Sequence, residues 1–184
     1  MASQKENMIA GEMYDSSDSE LSTARKFARK TLREFNQAED SDEAKALLKN
    51  LFGSTGENFH FNPGLVADYG FNIHIGENFY ANFNCTLLDI CPITIGKNCM
   101  LAPNVQLYTA THPLDPVKRN TVWEYGKPIT LGDNVWIGGG AIVIPGVTLG
   151  NNVVVAAGAV VTKSFPDNVV IGGNPARVIK ELDL

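Results

Sequence analysis

Charge is scarce in this chain, and cysteine and histidine are scarcer still. Charged residues make up only 19% of the 184 positions, and the formal net charge is -5. Without a basic excess the chain lacks the electrostatic footprint of a nucleic-acid partner. Its three cysteines, Cys85, Cys91 and Cys99, are odd in number and form no C-x-x-C pair. That pattern suits neither a disulfide framework nor a cysteine zinc site, and fits small buried thiols in a reducing cytosol. The opening MASQKENMIAGEMYD has no apolar stretch. No run approaches the roughly 18 apolar residues of a membrane span. Neither a signal peptide nor a spanning helix is expected, and the expected location is the cytoplasm. What is abundant is apolar surface, at 44%, and glycine, at 17 residues. The first is enough for one sizeable core with a small appendage. The second predicts many tight turns if it recurs at fixed spacing.

Residues 1–58 read as a helical segment. Leu21, Ala24, Phe27, Ala28, Leu32 and Phe35 follow a 3–4 spacing, with Lys26, Arg29, Lys30 and Arg33 between them. This predicts an amphipathic helix with one apolar stripe, with Ser19 as its N-cap. A second helix is expected over Glu43 to Leu51, with Asp40 and Glu43 as a capping box and Gly53 at its stop. Two short helices cannot bury their apolar faces alone, so they must pack on the rest of the chain or on a neighbouring subunit.

From Phe59 the helical period gives way to a six-residue one. Aliphatic starts run without a break through Leu131, Ile137, Val143, Leu149, Val155 and Val161. The next residue is usually small (Gly132, Gly138, Gly150, Ala156). Val135, Ala141, Val147, Val153 and Ala159 lie four places after each start. Earlier starts are Ile95, Leu101 and Leu107, and before them Ile75, Ala81 and Leu87, with a two-residue slip near Pro92. A six-residue unit can be a short strand plus a tight turn, and stacked units extend one continuous core. A sandwich, whose turns recur irregularly at roughly 8–12 residues, does not keep six starts in one register.

Function sits where such a repeat breaks. The largest break separates Leu107 from Leu131 and reads YTATHPLDPVKRNTVWEYGKPIT. With Pro113, Pro116, Pro128 and Gly126 opposing regular structure, residues 109–128 are expected to leave the solenoid as a loop and return. His112 lies in it, held extended by Pro113. Histidine as a residue type titrates near neutrality and can take a proton from an alcohol. Glu124, later in the same loop, is a candidate to hold the other ring nitrogen, and equally a solvated loop charge. His74 alternates with Ile73 and Ile75 and so points away from the core; His60 sits in the approach to the solenoid.

The chain resembles the hexapeptide-repeat acyltransferases, and within them the maltose and galactoside O-acetyltransferases. AGEMYD and its helices resemble their helical head. YGFNIHIGENFYANFN, TIGKNCMLAPNV, THP, ITLGDNVWIG, IPGVTLG and GGNPARVIK resemble their solenoid, loop and tail. The resemblance implies a mainly β fold: a left-handed parallel β-helix over residues 59–170 with the inserted loop, and a C-terminal tail over 171–184. It implies acetyl transfer from acetyl-CoA to a sugar hydroxyl, with His112 as the catalytic base and homotrimers whose active sites lie between subunits. The implied acceptor contacts are Asp68, Asn82, Asp89 and Trp136. The implied acetyl-CoA contacts are Gly139, Ala157, Thr162, Arg177 and Lys180. Gly139 and Ala157 suit close backbone approach, and Arg177 and Lys180 suit phosphates. Asp68 stands where some galactoside enzymes carry serine, and Ile90 where they carry a second aspartate, which leaves the acceptor open. Other alcohols or amines, as in serine or antibiotic acetyltransferases, remain alternatives. So does a γ-type carbonic anhydrase, which would need His60, His74 and His112 on one metal, and so does a non-enzymatic trimer.

Overall fold

The computed structural model describes residues 2–39 and 41–184. Three helices form a head. The first, α1 (Gln4–Ala10), is absent from the sequence reading, although Ser3 and Glu6 form a reciprocal capping box and Gly11 ends the helix in the left-handed region. In α2 (Ser19–Gln37) the apolar stripe buries Leu21, Ala28, Leu32 and Phe35, whereas Phe27 at its edge stays half exposed. The cap is Asp18 rather than Ser19, because the aspartate carboxylate accepts the N–H groups of both Glu20 and Leu21. The third helix, α3 (Ser41–Leu51), starts two residues before Glu43 and buries Leu48 and Leu51. The expected Asp40 cap falls outside the described residues. As the amphipathic patterns require, the head packs on the solenoid: Ala28, Leu32, Phe35, Leu48 and Leu51 share one core with the strands.

The solenoid has three faces of parallel strands. The first stacks Ile73–Ile75, Ile93–Ile95, Ile129–Leu131 and Thr148–Leu149. The second stacks Phe59–Phe61, Phe79–Ala81, Met100–Leu101, Trp136–Ile137, Val154–Val155 and Val169–Gly173, and is closed by antiparallel Ala176–Glu181. The third stacks Val66–Ala67, Thr86–Leu88, Gln106–Tyr108, Ile142–Val143 and Val160–Val161. The repeat starts read from the sequence are the inward residues. Ile75, Ile95, Leu131 and Leu149 line up on the first face, Ala81, Leu101, Ile137 and Val155 on the second, and Leu87, Leu107, Val143 and Val161 on the third; all are buried. Each fully buried aliphatic of this kind contributes about 1.5–3 kcal/mol. This architecture agrees with the left-handed parallel β-helix implied by the resemblance.

Two devices hold the corners. After a first-face strand the coils stack so closely that a Cβ on Gly132 would stand 2.7 Å from the carbonyl carbon of Gly150, so only glycine fits. One step further, asparagines take the left-handed conformation and stack their amides. Asn78, Asn98, Asn134, Asn152 and Asn168 all have φ between 56° and 60°. Each side-chain amide donates to the next carbonyl, at 3.1, 3.0, 2.9 and 2.7 Å in chain order. Asparagine suits the site twice, tolerating positive φ and extending a hydrogen-bonded ladder.

Candidate active site

The corner between the third face and the first is enlarged in three successive coils. Ala67 and Ile75 are eight residues apart, as are Leu87 and Ile95, and Leu107 and Leu131 are 24 apart; the next coil, Val143 to Leu149, returns to six. The enlarged turns are stapled to one another. Asp89 accepts the backbone N–H groups of Asp68, Tyr69 and Asn72 at 3.0, 2.9 and 3.3 Å, and the Asn72 amide donates back to the carbonyls of Asp89 and Ile90. The Thr109 hydroxyl accepts from Cys91 N–H and donates to the Leu88 carbonyl. Asp89 is fully buried. Burial raises its carboxyl to about 7 even though backbone donors favour the anion. This corrects the expectation for Asp89: with no exposed surface and its oxygens committed to backbone, it supports the turn that carries Asp68 and does not line the site.

The third enlarged turn is more ordered than its prolines suggest. Ala110–Thr111 and Trp123–Gly126 pair antiparallel, and Tyr14–Asp15 from the head adds a third strand. Pro116 opens a short helix, α4 (Pro116–Arg119), at the position where a missing N–H costs nothing, and the Asp115 carboxylate caps it. The return is tight. A Cβ on Gly126 would lie 2.7 Å from Cys91 Sγ and 2.8 Å from the Thr109 carbonyl oxygen.

This hairpin sets the titratable groups. His112 Nε2 lies 3.7 Å from Glu124 Oε2, with the imidazole half exposed and the carboxylate largely covered. The register Tyr14↔Glu124 puts the Tyr14 phenol on the other carboxylate oxygen, to which it donates a short hydrogen bond. Beside them a cleft of about 310 Å³ is lined by Ser16, Arg25, Asp68, Tyr69, Ile90, Ala110 and Glu124. Arg25 crosses it, donating to the Tyr69 phenol at 2.5 Å and to the Ser16 carbonyl at 2.8 Å. Burial and the neighbouring Glu124 charge raise the Asp68 carboxyl, opposed by Arg25 and Arg29. The cleft therefore offers two carboxylates, one phenol and one guanidinium beside the His112–Glu124 pair, a set that fits a ligand rich in hydroxyls.

The other expected residues lie elsewhere on the chain. Asn82 follows the second-face strand and accepts from Phe83 N–H and the Asn62 amide. Trp136 stands half exposed on the outside of the second face, in register with Met100 and Val154. Gly139 and Ala157 follow the second-face strands of successive coils, where Gly139 accepts from Gly158 N–H. Thr162 leaves the third face, and Arg177 and Lys180 are exposed on the closing strand. None of these lines the His112 cleft; the third face lies between that cleft and the Asn82 and Gly139 corner. His60 stacks on Tyr80, and His74 Nδ1 is 3.0 Å from Ser54 Oγ. Among the described residues no three His, Cys, Asp or Glu side chains gather as a metal site.

Arg25 and Tyr69 in the cleft, and the buried Tyr14 that bonds Glu124, were not singled out from the sequence. The signals are slight. Arg25 sits beside Ala24 at the edge of the helical stripe, and Tyr14 lies within the AGEMYD segment.

Comparison with known proteins identifies the family. Residues 7–56 match the maltose acetyltransferase hexapeptide capping motif, and residues 128–163 match the bacterial transferase hexapeptide family of six repeats. Galactoside O-acetyltransferase of Escherichia coli is 43% identical, covering 97% of this chain and 89% of its own. The crystal structure of a maltose O-acetyltransferase from Clostridium difficile 630 superposes with a TM-score of 0.98 at 49% identity, covering 100% of this chain and 99% of that one. A galactoside acetyltransferase in complex with coenzyme A superposes with a TM-score of 0.95 at 40% identity, covering 100% and 92%. Over nearly its whole length, then, the chain belongs to the hexapeptide-repeat acetyltransferases of the maltose and galactoside O-acetyltransferase family.

Proposed function

We propose that the chain transfers an acetyl group from acetyl-CoA to a hydroxyl of a sugar, with His112 as general base. The observation that carries this reading is the His112–Glu124 pair at the edge of a hydroxyl-matching cleft. Glu124 faces one ring nitrogen and favours the tautomer whose other nitrogen accepts a proton. His112 takes the proton of the acceptor hydroxyl. The oxygen attacks the thioester carbonyl, the carbon–sulfur bond breaks, and the imidazolium returns its proton to the departing thiolate. General base catalysis of this kind is worth ~10²–10⁴-fold, and holding donor and acceptor together supplies much of the remainder.

The complex of a relative with coenzyme A supports acetyl-CoA as co-substrate. Gly139, Ala157, Thr162, Arg177 and Lys180 are the residues proposed to hold it, and Asp68, Asn82 and Trp136 those proposed to meet the acceptor. Because Asn82, Trp136 and Gly139 lie across the third face from His112, a complete site is proposed to form between copies of a homotrimer. The test is His112→Ala. Turnover should fall by at least the general-base factor while coenzyme A binding and the unfolding midpoint hold, and unchanged turnover rejects the reading. The acceptor is decided by a turnover screen across mono- and disaccharides, hydroxy amino acids and amines. A preference for an amine or a hydroxy amino acid would replace the sugar.

A further inference from the structure

Glu124 is shared between two partners, and the second is supplied by the head. The Tyr14 side chain is fully buried, and its phenol donates to Oε1 of Glu124 while Oε2 faces His112. Strand pairing brings them together: Tyr14 stands opposite Glu124 across the antiparallel pair. On the basis of the His112 reading above, we propose that Tyr14 is a positioning residue for proton transfer. Its phenol holds one oxygen of Glu124 so that the other stays turned toward His112.

The physical case has three parts. A carboxylate on a hairpin has free rotamers, and one fixed oxygen removes them. A phenol is a donor that packs like phenylalanine, so it fits this buried position as no charged group would. It also stays protonated, because burial, the bond to Glu124 and the charges of Glu124 and Asp68 all raise it well above the ordinary tyrosine range. The donated bond further draws charge from the carboxylate and limits how strongly Glu124 stabilises the imidazolium. The other groups facing this cluster are Tyr69, which also raises Tyr14, and Arg25 and Arg29, which act on Asp68. Arg25 spends its guanidinium on Tyr69 and the Ser16 carbonyl rather than on Glu124.

The experiment compares Tyr14→Phe, Glu124→Gln, their combination and His112→Ala in the full chain. For Tyr14→Phe we expect kcat to fall about tenfold, the size of one charge-assisted hydrogen bond, with both KM values nearly unchanged. The acid limb of the pH–kcat/KM profile should move to higher pH, since an unshared carboxylate favours the imidazolium. Glu124→Gln should move it to lower pH, and the double variant should behave like Glu124→Gln alone. Wild-type kcat and pH profile in Tyr14→Phe, or losses that multiply in the double variant, would overturn the proposal. If Tyr14→Phe fails to fold, 3-fluorotyrosine at position 14 keeps the packing and strengthens the donor. The acid limb should then move to lower pH, and an unmoved limb overturns the proposal equally. The two readings fail separately: an active His112→Ala removes the base, whereas an inactive His112→Ala with an indifferent Tyr14→Phe removes only the positioning role.

Discussion

Asn134 sits in the middle of the asparagine ladder, and replacing it separates the two jobs that asparagine does there. Its φ is 58°, its carbonyl accepts from the Asn98 amide at 3.0 Å and its amide donates to Asn152 at 2.9 Å. Asn134→Gly keeps the left-handed backbone at no steric cost and loses only the two amide bonds. These are exposed, so about 0.5 kcal/mol each is expected, the low end of the usual range. Asn134→Ala loses the same bonds and also the short polar side chain that eases asparagine into the left-handed region, where an ordinary residue pays roughly 1–2 kcal/mol. The expected order is therefore Asn, then Gly about 1 kcal/mol below wild type, then Ala about 2–3 kcal/mol below wild type. For a chain of this size 1 kcal/mol moves the thermal midpoint by about 2–4 °C. Circular dichroism melts at one fixed protein concentration should resolve the series, the concentration being held because assembly shifts the midpoint. An alanine variant as stable as the glycine variant would refute the claim that backbone conformation governs these corners. A glycine variant as stable as wild type would refute the ladder.

Two further outcomes follow from the site. The folded Asp89 carboxyl is raised by burial to about 7, so the folded state keeps a proton that the unfolded chain releases near the ordinary aspartate value. Its contribution to stability is fully present below that ordinary value and is lost as pH rises toward 7. Asp89→Asn should flatten this part of the midpoint-against-pH curve, and an unchanged slope would assign it to other groups. Gly126→Ala pushes a methyl into Cys91 Sγ and the Thr109 carbonyl, and overpacking of this kind costs about 1–3 kcal/mol. Because the clash sits two residues from Glu124, kcat should fall along with the melting midpoint; a midpoint at the wild-type value would show that the return of the hairpin has slack.

The solenoid was legible because its period is enforced by geometry that repeats. One inward aliphatic per strand and one small residue at the corner leave a mark every six positions. The residues read as starts and as their partners four places on, such as Val135 and Ala141, are all buried. The helix stripe was legible for the same reason, and its errors are local: the cap moved by one residue to Asp18, whose carboxylate reaches two N–H groups. The 109–128 segment was harder, because its order comes from pairing with Tyr14–Asp15, some hundred residues away, and no local pattern encodes that. Asp89 misled for a related reason. The resemblance implied an acceptor contact at Asp89, but backbone N–H groups from the preceding coil take its oxygens.

Why the polar cluster sits at one corner follows from the coils themselves. A regular six-residue unit commits its inward side chain to the core and its strand backbone to the neighbouring coils, leaving no room for a cluster of converging polar groups. Extra residues at one corner would be unsupported if only one coil had them, because a projecting turn leaves polar backbone without partners. Here three consecutive coils enlarge the same corner, and each turn rests on the previous one. Asp89 and Asn72 tie the first two, and Thr109 ties the second to the third. The head then closes over this ledge: Met8, Tyr14 and Leu21 pack with Tyr69, Ile90 and Cys91, and Cys91 Sγ donates to the Met8 carbonyl. Head and loop are therefore one construction. The amphipathic helices need a surface to bury their stripe, the enlarged corner needs a cover, and the strand that joins them delivers Tyr14 to Glu124.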